Sequence, residues 1–355
     1  MTLKPLIATR IRQSGPMRVS DYMETCLLHP ELGYYTTRDP LGTAGDFITA
    51  PEISQMFGEL IGLCLAQCWL DQGSPAPFTL AELGPGRGTL MADALRATKH
   101  VPGFHTAARL TLVEASPVLR VSQANLLAAY NPQWLDTATA LPDQPLFLVA
   151  NEFFDALPIR QFQREGKAWR ERMVGLSQDE LSLGLGPALL LAALEQRLPD
   201  TRTGDIVETC TPAIHIVAQI ATRIARHGGA AILVDYGDWR SQGDTLQALK
   251  GHKTADIFAT PGSADLTAHV DFEPLAQAAQ TAGCAFSRLT TQADFLQRLG
   301  LAQRAHTLAK AQNPTVQATI TSAQHRLTHK DEMGNLFKVL GLYPDKAPPP
   351  PGLAP

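Results

Sequence analysis

The sequence predicts an α/β protein: a mostly parallel, doubly wound sheet covered by helices on both faces, with helical segments added at both ends. Two observations predict it. Short apolar runs at Phe78–Leu83, Arg109–Glu114, Leu146–Ala150 and Ala230–Asp235 alternate with helix-length stretches, the pattern of strands buried between two helical layers. The first run ends in a glycine-rich turn, Glu82-Leu83-Gly84-Pro85-Gly86-Arg87-Gly88, at the carboxyl end of a strand, where open α/β sheets bind ligands.

Along the chain, Leu6, Ile7 and Ile11 have helical spacing, and Ser20 is placed to cap a second helix with Met23, Leu27 and Leu28 on its apolar face. A loop rich in Gly, Tyr and Thr follows, and Asp46-Phe47-Ile48-Thr49-Ala50-Pro51-Glu52 reads as a segment folding over a cleft. A helix from about Glu52 to Asp71 ends at Gly73-Ser74-Pro75-Ala76-Pro77, a chain break. Strand and helix then alternate, with helices after the glycine turn to about Lys99, over Ser116–Tyr130 and over Ala213–His227. Ile159–Arg164 and Trp169–Val174 alternate in polarity around Glu165-Gly166, predicting an antiparallel hairpin inserted in the sheet domain. Pro274–Tyr343 reads as helical, and the tail with Pro348–Pro351 as mobile. The expected organisation is a helical cap segment (1–77), a core (78–158 and 204–345), an insertion (159–203) and a Pro-rich tail (346–355).

The 355 residues, 45% hydrophobic, suffice for one large domain or two small ones. A net charge of -4 disfavours nucleic acid as a partner, because tracking phosphates takes clustered Lys and Arg. No apolar run approaches the ~20 residues of a membrane span, so no integral membrane protein is expected. Five cysteines include no Cys-x-x-Cys pair. Cys64 and Cys68 share one helix face and read as buried thiols in a reducing compartment, and no His/Asp/Glu cluster has metal spacing. Lys4, Arg10, Arg12 and Arg18, with no acid among the first 20 residues, read as a basic amphipathic helix of the fold rather than a transit peptide.

The chemistry centres on the glycine turn. Its Gly-x-Gly-x-Gly spacing departs from the dinucleotide fingerprint, and no Gly-Lys-Ser/Thr follows to hold a triphosphate. An acid, Glu82, precedes the glycines, which suits a ligand carrying ammonium and sulfonium charges, such as S-adenosyl-L-methionine. Glu114, ending the next strand, can accept hydrogen bonds from two ribose hydroxyls. The run Asn151-Glu152-Phe153-Phe154-Asp155-Ala156-Leu157-Pro158 follows the fourth strand of the sheet, which in this architecture faces the cofactor's methyl group. The candidate cofactor-binding residues are thus Glu82, Gly84, Gly86, Gly88, Glu114 and Asn151. Glu152, Asp155 and Asp46 are the candidate catalytic carboxylates, with no metal. Asp235-Tyr236-Gly237 is a candidate for the cleft rim. His269 could be a base or a ligand but reads better as a buried, hydrogen-bonded histidine. Gly-x-Ser-x-Gly, the mark of an α/β-hydrolase, is absent. A nicotinamide-dependent oxidoreductase and a non-catalytic assembly chaperone retaining the cofactor site are the rival readings.

Several separate motifs, Gly45–Glu59, Glu82–Gly88, Asn151–Pro158 with Arg160-Gln161-Phe162, Asp235-Tyr236-Gly237 and Met333–Leu340, resemble those of the MidA-like family of class I methyltransferases, over almost the whole chain. Asn335 departs from that pattern, where an acid is expected. The resemblance implies a Rossmann-like class I methyltransferase core, S-adenosyl-L-methionine bound through Gly84, Gly86 and Gly88, and possible relation to the eukaryotic member, a protein arginine methyltransferase acting on a respiratory complex I subunit. It implies a protein substrate and a bacterial cytoplasmic or, in a eukaryote, mitochondrial matrix location. Oligomeric state stays open.

Overall fold

The computed structural model describes residues 2–37, 49–310 and 312–355. Its central sheet follows seven strands: Phe78–Leu83 (β1), Ala108–Val113 (β2), Gln133–Leu135 (β3), Leu146–Asn151 (β4), Gly229–Asp238 (β5), Cys284–Phe286 (β6) and Phe337–Pro344 (β7). They lie in the order β3-β2-β1-β4-β5-β7-β6, with two-residue strands at Val270–Asp271 and Thr290–Thr291 added beside β5 and β7. β1 to β5 are parallel; β7 runs antiparallel to β5 and β6. The order reverses between β1 and β4, so the crevice opens at the carboxyl ends of these two strands.

The strands read as continuous apolar runs because both faces are covered. Successive residues alternate between two cores: Phe78, Leu80, Phe147, Val149, Ile232 and Val234 face one, and Ala81, Leu83, Leu148, Ala150, Ala231 and Leu233 the other. The first core packs under Gln55–Asp71 (α3) and Thr89–Thr98 (α4), the second under Thr211–His227 (α6) and Phe272–Thr281 (α7); Pro117–Leu126 (α5) follows β2. Truncating a fully buried ring here, such as Phe147, would cost about 3–5 kcal/mol. Close packing of α3 on α4 rests on two glycines one turn apart. A Cβ on Gly62 would lie 2.5 Å from Ala94 Cα, and one on Gly58 would lie 2.7 Å from the Leu90 carbonyl oxygen. This contact seats α4, and with it the glycine turn that feeds it.

The N-terminal segment folds as Leu3–Ser14 (α1) and Val19–Leu28 (α2). Leu3, Ile7 and Ile11 are buried, while Lys4 and Arg12 pair with Glu180 and Asp179. Ser20 does not cap α2. The helix starts at Val19, whose fully buried side chain fixes the entry, and Ser20 sits in the first turn beside Asp21. Leu28 is 42% exposed and lies off the buried face. The expected helix from Glu52 is divided at Ser54, which takes extended backbone and caps α3 by accepting from Met56 N at 3.2 Å.

The predicted hairpin is present, with Arg160–Glu165 pairing with Ala168–Ser177. Glu180–Leu189, Ile206–Thr209 and Met17–Arg18 enlarge it to a five-stranded antiparallel sheet. Two expectations fail at the C-terminal end. The stretch read as helical contains β6 and β7, because Phe337–Tyr343 is an apolar run inserted between β5 and β6, where a strand buries it on both sides. The tail is packed rather than mobile: Leu353 is 9% exposed, Arg288 N donates to the Ala354 carbonyl at 2.8 Å, and Pro350 and Leu353 lie over Gly341. Among the described residues no helix is long and apolar enough to cross a membrane, and no group of three or more His, Cys, Asp or Glu is placed to hold a metal ion.

Candidate active site

A cavity of about 510 Å³ opens at the carboxyl ends of the central strands. Glu82, Gly84, Gly86, Glu114, Asn151, Glu152 and Asp155 line it, so residues separated by up to 73 positions meet there. Gly88 stands behind the wall. Asp46 lies outside the described residues.

Gly84, Gly86 and Gly88 have φ of +59°, +55° and +86°, the left-handed region that side chains disfavour, so the turn depends on glycine at all three. Gly88 is the N-cap of α4. At Gly84 space is also short, since a Cβ would sit 2.9 Å from the Phe153 ring. Glu82, 3% exposed, has one carboxylate oxygen with no hydrogen-bond partner among the described residues. Burial and the nearby Glu114 push its carboxyl up to about 8, opposed by the Met91 backbone N–H.

Glu114 is held in place. One oxygen accepts from Ser116 N at 2.7 Å and the other from Gln123 Nε2 at 3.1 Å. Burial raises its carboxyl, and these bonds oppose the rise. Gln123, fully buried on α5, also donates to the Gly86 carbonyl at 2.7 Å and accepts from Trp134 Nε1 at 2.8 Å. It ties the glycine turn to Glu114. Sequence reasoning missed it, although a glutamine four residues after the buried Leu119 is a polar group on an apolar helix face.

After β4 the chain turns at Glu152, whose φ is +52° without being glycine. Its N–H donates to the Val234 carbonyl at 2.9 Å. Its Oε1 accepts from Ala50 N at 3.2 Å and Asn151 Nδ2 at 3.1 Å. The next three amides, of Phe153, Phe154 and Asp155, donate to one oxygen of Asp235 at 3.2, 2.9 and 3.2 Å. Asp155 is 6% exposed and its Oδ1 has no partner among the described residues; the same holds for Asn151 Oδ1. Burial pushes Glu152 up to about 7, with help from Asp155, while Arg326 lowers it; Asp155 itself is pushed up to about 6 by burial.

The cavity lining also includes residues outside the candidate list. Tyr35 Oη donates to Asp265 Oδ2 at 2.8 Å, and both line the cavity. Thr89 Oγ1 donates to Glu52 Oε1 at 2.6 Å. Glu24, Glu52, Asp136 and Asp265 join the four carboxylates already named, and Arg87 is the one arginine or lysine among the described lining residues. Such a wall selects for positive charge. Leu27, Leu28, Leu157, Pro158 and Ile216 add apolar lining. Of the other candidates, Asp235 is fully buried and does not line the cavity. His269 faces a second cavity of about 440 Å³ on the other side of Phe154, with its ring edge-on to Tyr236 at 5.3 Å.

Fold order and site together define a class I methyltransferase, and comparison with known proteins places the chain within that class. A family model described as S-adenosyl-L-methionine-dependent methyltransferase matches residues 60–290. The mitochondrial protein arginine methyltransferase NDUFAF7 of Danio rerio is 38% identical, covering 94% of this chain and 84% of that protein. The human protein of the same name is 36% identical, with 94% and 82% covered. A crystal structure from Burkholderia thailandensis bound to S-adenosyl-homocysteine superposes with a TM-score of 0.84 at 29% identity, covering 96% of this chain and 91% of that one. The chain belongs to this MidA-like family of S-adenosyl-L-methionine-dependent methyltransferases. It is a methyltransferase and its cofactor is S-adenosyl-L-methionine, which removes the nicotinamide reading.

Proposed function

We propose that the chain methylates arginine side chains of a protein substrate, a subunit of respiratory complex I, in the mitochondrial matrix or the bacterial cytoplasm. The observation that carries this reading is the pair Glu152 and Asp155: a half-buried and a buried carboxylate on one turn at the end of β4, both with raised proton affinity. The printed activity of the NDUFAF7 relatives supports it.

The residues present fit the cofactor. The buried, unpartnered oxygen of Glu82 and of Asn151 invites its cationic ammonium end, the fixed carboxylate of Glu114 suits its ribose hydroxyls, and the left-handed Gly84 and Gly86 line the cavity with backbone. Gly88 shapes the turn. When bound, the cofactor supplies a methyl group on a positively charged sulfur.

An arginine guanidinium, with a pKa above about 12, must lose a proton as its nitrogen is alkylated, and its plane must be fixed. Carboxylates do both, by bidentate hydrogen bonds and by accepting the proton. A carboxyl poised near 7 takes that proton far better than one at the ordinary 4.5, so Glu152 is the base. Asp155, on the same turn and lining the same cavity, orients the guanidinium. Asp46 is a third candidate carboxylate. The apolar lining suits the aliphatic stem of arginine.

The test is methyl transfer from labelled S-adenosyl-L-methionine to arginine peptides, lysine peptides and purified complex I subunits, read by mass spectrometry. Modified arginine with unmodified lysine is expected. Transfer to another residue type, or to small molecules alone, overturns the reading.

A further inference from the structure

The carboxylate of Asp235 is fully buried near the carboxyl end of β5, and its partners lie on the turn that carries Glu152 and Asp155. One of its oxygens receives the amides of three successive residues, Phe153, Phe154 and Asp155, and the other receives Tyr236 N at 3.0 Å. Amides that converge on one point form a concavity suited to an anion. The preceding residue is bound to the same strand, Glu152 N to the Val234 carbonyl. Four consecutive amides of the turn are therefore anchored on β5, three of them by a single side chain. The anchoring has three visible consequences. Glu152 is kept in left-handed backbone, the Phe153 ring is laid against Gly84, and Asp155 faces the cavity. Phe154 is turned the other way, into the wall of the second cavity.

We propose that Asp235 is the positioning residue of the acceptor site: by gathering the amides of Phe153–Asp155 it fixes where the carboxylates of Glu152 and Asp155 stand, without touching cofactor or acceptor. Its kinetic arm rests on the arginine-methylation reading above; its conformational arm does not. Asp235 makes no hydrogen bond to the cofactor-holding turn after β1, which is built on glycine dihedrals and Gln123, and meets it only through the Phe153 ring. Losing Asp235 therefore separates turnover from cofactor binding, as loss of general stability would not.

The experiment compares full-length wild type, Asp235→Asn and Asp235→Ala. At saturating substrates kcat is expected to fall about 100-fold in Asp235→Ala and about tenfold in Asp235→Asn, whose amide oxygen can still accept from the three N–H groups. The Kd for S-adenosyl-homocysteine should stay within about threefold of wild type. Amide hydrogen exchange gives the second readout. In wild type, residues 153–155 should exchange far more slowly than the exposed turn at 166–167, and in Asp235→Ala that protection should be lost. A folded Asp235→Ala that keeps both kcat and protection overturns the proposal. So does fast exchange at 153–155 in wild type, which needs no variant. If wild type methylates something other than arginine, the function reading fails alone, and kcat is measured on the acceptor it does use.

Discussion

The turn after β1 and the turn after β4 leave the same edge of the sheet through left-handed backbone, at Gly84 with φ +59° and at Glu152 with φ +52°. They differ in what makes that backbone possible. The first uses glycine at each left-handed position, so no side chain opposes the turn and the main chain is open to a ligand. The second places a glutamate where a side chain costs about 1–3 kcal/mol, and hydrogen bonds from β5 offset that cost. Glycine gives an open cradle for a cofactor recognised partly through backbone. A glutamate held against its preference gives a carboxylate whose direction is set by the fold, which is what a base needs. On the proposed function, the first turn suits the cofactor and the second the acceptor chemistry.

The sharpest way to break that assignment is Glu152→Gln. Turnover should drop by about 10²–10⁴-fold, with S-adenosyl-homocysteine affinity near wild type by calorimetry; lost affinity would move Glu152 to the cofactor side. Gly86→Val should do the reverse. A β-branched residue at φ +55° is strained, and Gly86 lines the cavity, so cofactor affinity should fall by at least about 100-fold. Circular dichroism checks that this variant is folded. Gly84→Ala probes where the turns touch. Its Cβ would meet the Phe153 ring, so cofactor affinity and kcat should both fall by about tenfold; loss of only one would show that the turns act separately.

A proton count sharpens the cofactor side. With its carboxyl at about 8, Glu82 is mostly protonated at pH 7, and a cationic ligand favours its charged form. Binding should therefore release protons near pH 7, measurable by calorimetry in buffers of different ionisation heat, and should strengthen as pH rises toward 8; Glu82→Gln should remove both effects. The same shift sets a stability trend. Between 4.5 and about 8 the unfolded chain ionises this group while the folded one keeps its proton, so the ligand-free protein should lose stability as pH rises through that window. The smallest effect on the site is expected from Leu353→Ala in the tail. Loss of its packing should lower stability by about 2–5 kcal/mol in thermal unfolding and leave kcat and cofactor affinity unchanged, since neither turn is touched.

Much of this was legible in the sequence, for a local reason. Alternate burial of β1, β4 and β5 appears as apolar runs, and the cradle appears as Gly84, Gly86 and Gly88, because a left-handed turn that must stay open admits little else. Glu152 and Asp155 stood out as acids after a buried strand. β7 did not, since Phe337–Tyr343 is apolar enough for a buried helix and only the slot beside β5 makes it a strand. Gln123, Tyr35 and Asp265 were not found because their positions carry no motif; their roles come from partners far along the chain.

The sequence by itself determined the layers, the cavity's place at the strand ends and the glycine turn, because hydrophobic period and glycine are properties of neighbouring residues. Only the tertiary structure decided the acceptor side. The left-handed Glu152, the raised proton affinity of the two carboxylates and the hold of Asp235 on amides some 80 residues away all require burial and long-range hydrogen bonds, which exist once the strands have assembled.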